Sequence, residues 1–194
     1  MTRNRLEAFS DGVIAILITI MVLELRPPQG TELADLAPLA PRLLSYLLSF
    51  AFLAIYWNNH HHLMHAVERV DGRVLWANVH LLFWLSLTPF VTAWVGEHHA
   101  APRPVAAYGA VLLLSAVAYF VLTRTLLALH GAGSRLALAL GRDWKGKASV
   151  VAYALAIPLA FASRWMSIAI YVAVALAWWV PDRRIERTMR RHAT

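Results

Sequence analysis

The side chains best suited to chemistry are a group of histidines and one aspartate. His60, His61, His62 and His65 lie close together, and the i, i+4 spacing of His61 and His65 lets both face one cation from a helix. Histidines at a membrane surface that bond to Asp11 or to backbone carbonyls would show the same spacing. No third ligand is specified by the spacing and the chain contains no Cys, so we predict no metal site.

Catalysis and nucleic-acid binding are not predicted either. A catalytic histidine paired with Asp11 would need a nucleophile, and none stands out. The net charge is +7, but the basic residues lie between and after apolar segments, as the positive flanks of membrane helices do. The chain has no recognisable nucleic-acid-binding motif and no ATP-binding motif. We therefore predict no enzyme activity, no cofactor and no nucleic-acid partner.

The elements that must position these side chains are membrane helices. The 194 residues are 59% apolar and 15% charged, whereas about a quarter of the residues of a soluble domain are charged. Six spans of roughly 20 residues would use ~120 residues and leave only short loops. The pattern predicts an all-α polytopic membrane protein, with residues 1–194 forming a single six-helix transmembrane domain. The predicted spans are residues 6–25, 43–64, 74–95, 105–129, 148–162 and 165–180.

Prolines and basic residues refine this topology. Pro89 and Pro158 lie inside predicted spans, and each is expected to kink its helix or to end it early. Arg164 separates the last two spans, which we interpret as a tight hairpin rather than one broken helix. Thirteen of the 18 Lys and Arg residues fall on the side that holds both termini, and four fall on the other side. This bias predicts a multi-pass protein of the cell membrane with both termini in the cytoplasm.

Polar residues converge at the predicted cytoplasmic ends of the first three spans. Charged groups inside a membrane helix are costly and usually face protein or water, so a shared polar network would satisfy groups that lipid cannot. The members of this predicted network are Arg5, Phe9, Ser10, Asp11, Trp57, His61 and Asn78. Within it, Arg5 and Asp11 are expected to contact groups among Trp57, Asn58, His61, His62 and Asn78.

A stripe of four residues follows a different face of the first span. Ile16, Thr19, Ile20 and Leu23 have the i, i+3, i+4, i+7 spacing of one helical face. At ~100° per residue, Asp11 lies about 140° away from Ile16, so the stripe and the polar network face different neighbours. By itself the stripe is most simply explained by core packing or lipid contact.

The first three spans also carry residues that together match a known pattern. These residues are Arg5-xxx-Phe9-Ser10-Asp11, Ala15-Ile16, Thr19, Leu23-Glu24-Leu25, Trp57, His61-His62, Asn78 and Leu85-xxx-Pro89-Phe90. The set closely resembles the signature of the transmembrane protein 175 family of potassium channels. It covers mainly residues 5–90, and the rest of the chain agrees only in hydropathy. The Arg-xxx-Phe-Ser-Asp string is fairly specific, because charges are rare at the start of a membrane helix.

The resemblance implies a passive potassium-permeable channel, formed by a homotetramer around the first helix. Side chains of that helix would line the pore in place of the Thr-Val-Gly-Tyr-Gly carbonyl filter, a string that this sequence lacks. By position, Ile16 would form the inner apolar constriction, Thr19 the hydroxyl layer linked to selectivity, and Leu23 the next apolar ring. Ile20 is added because it lies on the same stripe. Selectivity for potassium over sodium should be modest, because apolar rings do not strip hydration tightly.

The same resemblance assigns the remaining signature residues and the partners. Arg5, Ser10 and Asp11 would organise helix packing without touching the ion. The partners would be potassium ions, the lipid bilayer and further copies of the chain. An alternative that the residues leave open is a proton- or metal-coupled transporter using the His60–His65 cluster. A transporter should have a midplane site with broken helices, for which Pro89 and Pro158 are the only indications.

Overall fold

The structure is a computed structural model of the chain, and it describes residues 2–131, 133–134, 136–137 and 143–179. The α-helices are α1 (Arg3–Leu23), α2 (Ala40–His65), α3 (Gly72–Ser86), α4 (Thr88–Glu97), α5 (Pro102–His130), α6 (Trp144–Ala162) and α7 (Arg164–Trp179). A 3-10 helix, Leu33–Leu39, leads into α2. The described ranges contain no strand, so the all-α prediction is confirmed. Val180, at the end of the sixth predicted span, and the Arg-rich C-terminal segment lie outside the described residues.

The helices have the length and composition of membrane spans. Five stretches are long and apolar enough to cross a bilayer, namely Arg3–Leu23, Leu33–His65, Gly72–Glu97, Pro102–His130 and Trp144–Ala162. Helix α7 is apolar but shorter, with 16 residues. Many large apolar side chains on these helices are exposed in the single chain, as expected of surfaces that face lipid or further subunits. The chain is therefore an integral membrane protein, as its hydropathy predicts.

The two internal prolines have different effects. Helix α3 ends at Ser86 and α4 begins at Thr88, with Pro89 in the first turn of α4. Proline lacks the amide proton that would continue the helical hydrogen bonds, and the third predicted span is accordingly divided into two helices. Pro158, in contrast, lies within α6, which continues past it to Ala162.

The last two helices are separated by a single residue. Ser163 has an extended backbone, with φ −153° and ψ 102°, and connects α6 to α7. The two helices pack against each other. The buried Ser167 hydroxyl of α7 joins them by donating to the Ala156 carbonyl of α6 at 2.8 Å. Residues 148–179 therefore lie in two helices and not in one long helix.

Two apolar cores hold the bundle together, and α5 contributes to both. The first core packs α1 and α3 against α2 and the C-terminal half of α5. Its buried members include Leu6, Ile14, Leu17, Met21, Leu53, Met64, Val74, Leu81, Leu85, Ala118, Leu122 and Leu126. The second core packs α4, α6 and α7 against Phe52 of α2 and the N-terminal half of α5. Its buried members include Phe52, Val91, Val105, Tyr108, Leu112, Tyr153, Ala156, Tyr171 and Val174.

Candidate functional site

Helix α1 has a buried face and an exposed face. The buried face carries Leu6, Ser10, Ile14, Leu17 and Met21. On the other side, Ile16, Ile20 and Leu23 are 57%, 42% and 76% exposed, and Thr19 is exposed as well. The four residues of the predicted stripe thus share a face that the described part of the chain does not cover.

The Thr19 hydroxyl is oriented by its own helix. Its Oγ1 donates a hydrogen bond to the carbonyl oxygen of Ile16 at 2.9 Å. A hydroxyl carries one proton and two lone pairs, so an oxygen whose proton is engaged by the backbone still presents an acceptor outward. The geometry leaves Thr19 able to offer an oxygen ligand to a cation on the exposed face.

A buried chain of hydrogen bonds links the first three helices. His60 Nε2 and Asn78 Oδ1 are 2.8 Å apart, and Asn78 Nδ2 donates to Ser10 Oγ at 2.9 Å. Ser10 Oγ in turn donates to the carbonyl of Leu6 at 2.9 Å. The Leu6 carbonyl can only accept, so the Ser10 hydroxyl uses its proton there and accepts from the Asn78 amide nitrogen. The amide oxygen of Asn78 can likewise only accept, so its partner His60 is the donor. His60 must therefore donate from Nε2, which places the lone pair of a neutral ring on Nδ1.

This chain of bonds satisfies polar groups where lipid could not. His60, Asn78 and Ser10 are buried on α2, α3 and α1 respectively, and spanning helices must satisfy such groups internally. Among the described residues, His60 Nδ1 is a buried atom without a hydrogen-bond partner. It is the acceptor nitrogen of this tautomer.

The predicted network is only partly assembled within one chain. Trp57 Nε1 donates to Asp11 Oδ1 at 3.0 Å, so the structure brings the start of α1 to the end of α2 as expected. Ser10 and Asn78 are also brought together, by the bond described above. Arg5 and Phe9 are exposed, and Arg5 makes no hydrogen bond or ion pair with any described residue of its own chain. The expectation that Arg5 contacts the end of α2 or Asn78 therefore has no counterpart within one subunit.

His61 lies against a carboxylate that sequence reasoning left out of the network. Its Nδ1 is 3.1 Å from Glu7 Oε1, and His65 Nε2 is 4.0 Å from the same oxygen. The His61 ring is stacked on Trp57 at a centroid distance of 6.0 Å. One ligand atom from each of Glu7, His61 and His65 lies within 4.8 Å of the others. These three residues could hold a metal ion.

Two residues of this site, His60 and Glu7, were missing from the predicted network. A periodic signal for His60 does exist, because Leu53, His60 and Met64 are spaced by seven and four residues and are all buried on α2. That stripe distinguishes His60 from its neighbour His61. Glu7 lies one turn before Asp11, but nothing in its spacing indicates that it faces α2.

Fold and site together define a polytopic helical membrane protein with a polar cluster at one end of its first three helices. The family model described as "Endosomal/lysosomal potassium channel TMEM175" matches residues 5–89. A potassium channel of Chryseobacterium sp. (strain P1-3) is 50% identical to this chain, over 98% of the chain and 99% of that protein. The chain belongs to the TMEM175 family, and the resemblance drawn from the Arg5-xxx-Phe9-Ser10-Asp11 string is confirmed.

Two further comparisons also cover most of the chain. A potassium channel of Chamaesiphon minutus is 32% identical, over 89% of this chain and 91% of that protein. The crystal structure of a lysosomal potassium-selective channel TMEM175 homolog from the same organism matches with a TM-score of 0.80 at 29% identity. That match covers 92% of this chain and 96% of the other. The fold is thus shared beyond the residues that carry the signature.

Proposed function

We propose that this chain forms a passive potassium channel whose pore is lined by α1. The observation that carries the proposal is the exposed stripe of Ile16, Thr19, Ile20 and Leu23 on a helix whose opposite face is buried. Membership of a family of channels supports conduction without catalysis. The relatives named above as potassium channels support potassium as the permeant ion. No cofactor is required for this function.

Four copies of α1 around an axis would convert the stripe into rings. A ring of Ile16 side chains excludes water when narrow and passes ions when the helices move apart. A ring of Thr19 hydroxyls, with their protons bonded to the Ile16 carbonyls, presents oxygen atoms that replace part of the hydration shell. Ile20 and Leu23 would continue the apolar lining. Partial replacement of water by four hydroxyls favours potassium over sodium only modestly.

The proposal includes an assembly and an orientation. The subunit is one six-helix domain, the active form is a homotetramer, and both termini face the cytoplasm from the cell membrane. The mass of the detergent-solubilised protein, measured by light scattering, should be four times that of one chain. A tag placed after Thr194 should be accessible only from the cytoplasmic side. A dimer, or a tag accessible from outside, would contradict this arrangement.

The Ile16 ring is tested by making it polar. In liposomes that hold a potassium gradient, Ile16→Asn should wet the constriction and raise the flux above that of the wild type, without improving selectivity. The matched control is Leu155→Asn, because Leu155 is an exposed apolar residue on α6. If the stripe faced lipid, both variants would alter only insertion or stability. Equal flux in wild type and Ile16→Asn would remove α1 from the pore.

The Thr19 layer is tested by removing its hydroxyls. Thr19→Ala should reduce discrimination between potassium and sodium by about 1 kcal/mol, the scale of an ordinary hydrogen-bond effect. The reversal potential under potassium/sodium exchange measures this change. Thr125→Ala is the matched control, because the Thr125 hydroxyl also donates to a carbonyl of its own helix, that of Val121 on α5, at 2.8 Å. An unchanged reversal potential in Thr19→Ala would assign selectivity to other residues.

The same liposomes separate a channel from the coupled transporter that the histidine cluster suggested. A channel dissipates a potassium gradient without a second substrate, whereas a coupled transporter needs its proton or metal gradient. Potassium flux that depends on an opposing pH or metal gradient would favour the transporter.

A further inference from the structure

The residues Glu7, His61 and His65 form a cluster at the junction of α1 and α2. Glu7 Oε1 lies 3.1 Å from His61 Nδ1 and 4.0 Å from His65 Nε2. His61 and His65 are one turn apart on α2, and their rings meet edge to face with centroids 4.3 Å apart. The three ligand atoms all lie within 4.8 Å of one another. Two helices therefore direct three metal-ligating side chains at one point.

We propose that Glu7, His61 and His65 bind a divalent transition-metal ion of the zinc class and thereby link the start of α1 to the end of α2. Two imidazoles and one carboxylate are a ligand set suited to zinc, with a fourth position left for water. Magnesium and calcium prefer sites built from oxygen ligands alone, so the two nitrogens select against them.

The spacing of the ligands is near that of a tetrahedral site. Ligand atoms of a tetrahedral zinc ion with bonds of about 2.0–2.1 Å lie roughly 3.3–3.4 Å apart. The two separations from Glu7 Oε1, 3.1 Å and 4.0 Å, lie on either side of that value, and all three ligand atoms lie within 4.8 Å of one another. Rotation of the half-exposed His65 side chain, at the last residue of α2, would bring its nitrogen closer without any movement of the helices.

Two features distinguish the cluster from a simple ion pair: an ion can reach it from solvent, and neighbouring side chains orient its ligands. The Glu7 side chain is only 15% exposed, whereas that of His65 is 50% exposed. An ion can thus enter from the His65 side and reach a carboxylate that is largely removed from water. The His61 ring is held by stacking on Trp57, which itself donates to Asp11. Such surrounding contacts orient ligands and strengthen metal binding.

The test uses the full-length protein, with any affinity tag removed, in detergent micelles. Cobalt(II) serves as the probe, because its visible absorption intensifies on four-coordinate binding and because zinc should displace it. The wild type should bind one cobalt ion per chain. Binding should be weaker by a factor of at least about 10 in Glu7→Gln and in His65→Gln, because changing even a residue that only orients a ligand costs roughly 10–100-fold in metal affinity.

His98→Gln is the matched control, because His98 is exposed and, among the described residues, its ring bonds only to the Trp94 carbonyl of α4, directly after which it lies. Its cobalt binding should equal that of the wild type. Size-exclusion profiles establish folding, and His65→Gln decides the test should Glu7→Gln fail to fold. Absence of cobalt binding in the wild type, or equal binding in wild type and His65→Gln, would overturn the proposal. Binding is measured without ion flux, so its failure is distinct from failure of the proposed channel function.

Discussion

The two cores bury polar side chains of different kinds. In the first core, an imidazole, an amide and a hydroxyl from three helices form one line of bonds from His60 through Asn78 to Ser10. In the second core, the fully buried contacts between polar side chains of the described residues are made by hydroxyls. Ser49 lies 2.6 Å from Thr92 and 2.9 Å from Tyr108.

The difference lies in how many ways each set of bonds can be satisfied. Thr92 also reaches the Thr88 carbonyl of its own helix at 2.6 Å, and hydroxyl protons rotate to suit their surroundings. When Thr92 loses its side-chain partner, its hydroxyl can thus keep the bond to the Thr88 carbonyl. The imidazole N–H of His60 and the amide of Asn78 have fixed donors and acceptors. We therefore expect the first core to be the more sensitive to loss of one polar group.

The largest effect should follow from Asn78→Ala. The change removes two buried hydrogen bonds and leaves the His60 donor unpaired, which should lower the free energy of unfolding by about 2–4 kcal/mol. The measurement is the temperature at which the detergent-solubilised protein loses its monodisperse size-exclusion peak after heating. The control is Asn58→Ala, because Asn58 is exposed on α2 and should tolerate the change. Equal losses in the two variants would show that burial of the amide does not matter.

A smaller effect is expected for Asp11→Ala. Arg5, the other charged member of the predicted network, is exposed and does not bond to Asp11 within the chain, so this change leaves no buried arginine without a partner. What is lost is the charge-assisted bond from Trp57, which should contribute about 2 kcal/mol. Trp57→Phe should show a similar loss, and the double variant should be little worse than either single variant. Additive losses would indicate that the two residues act independently.

The smallest effect should be that of Ser49→Ala in the second core. Thr92 keeps its bond to Thr88, and the Tyr108 hydroxyl loses its partner, so the expected loss is about 1 kcal/mol. Thermal stability in detergent measures it beside Asn78→Ala. A loss as large as that of Asn78→Ala would contradict the difference drawn between the two cores.

Much of this fold could be predicted without the structure. The positions of the apolar segments, the break at Pro89 and the family signature at Arg5–Asp11 all follow from local composition and spacing. These features depend on residues that are close in the chain, and the bilayer constrains helix length strongly. The third span is divided into α3 and α4 at Pro89, and this one residue is visible in the sequence.

The pairing of side chains could not be predicted in the same way. His60 and His61 are neighbours, yet a step of ~100° around the helix places one in the first core and the other beside Glu7. Glu7 completes a possible ligand set only because α1 packs against the end of α2. Hydropathy and the signature motif determined an all-helical membrane bundle of the TMEM175 type. The tertiary structure decided which polar groups meet, because helix rotation and packing are set by contacts between residues far apart in the chain.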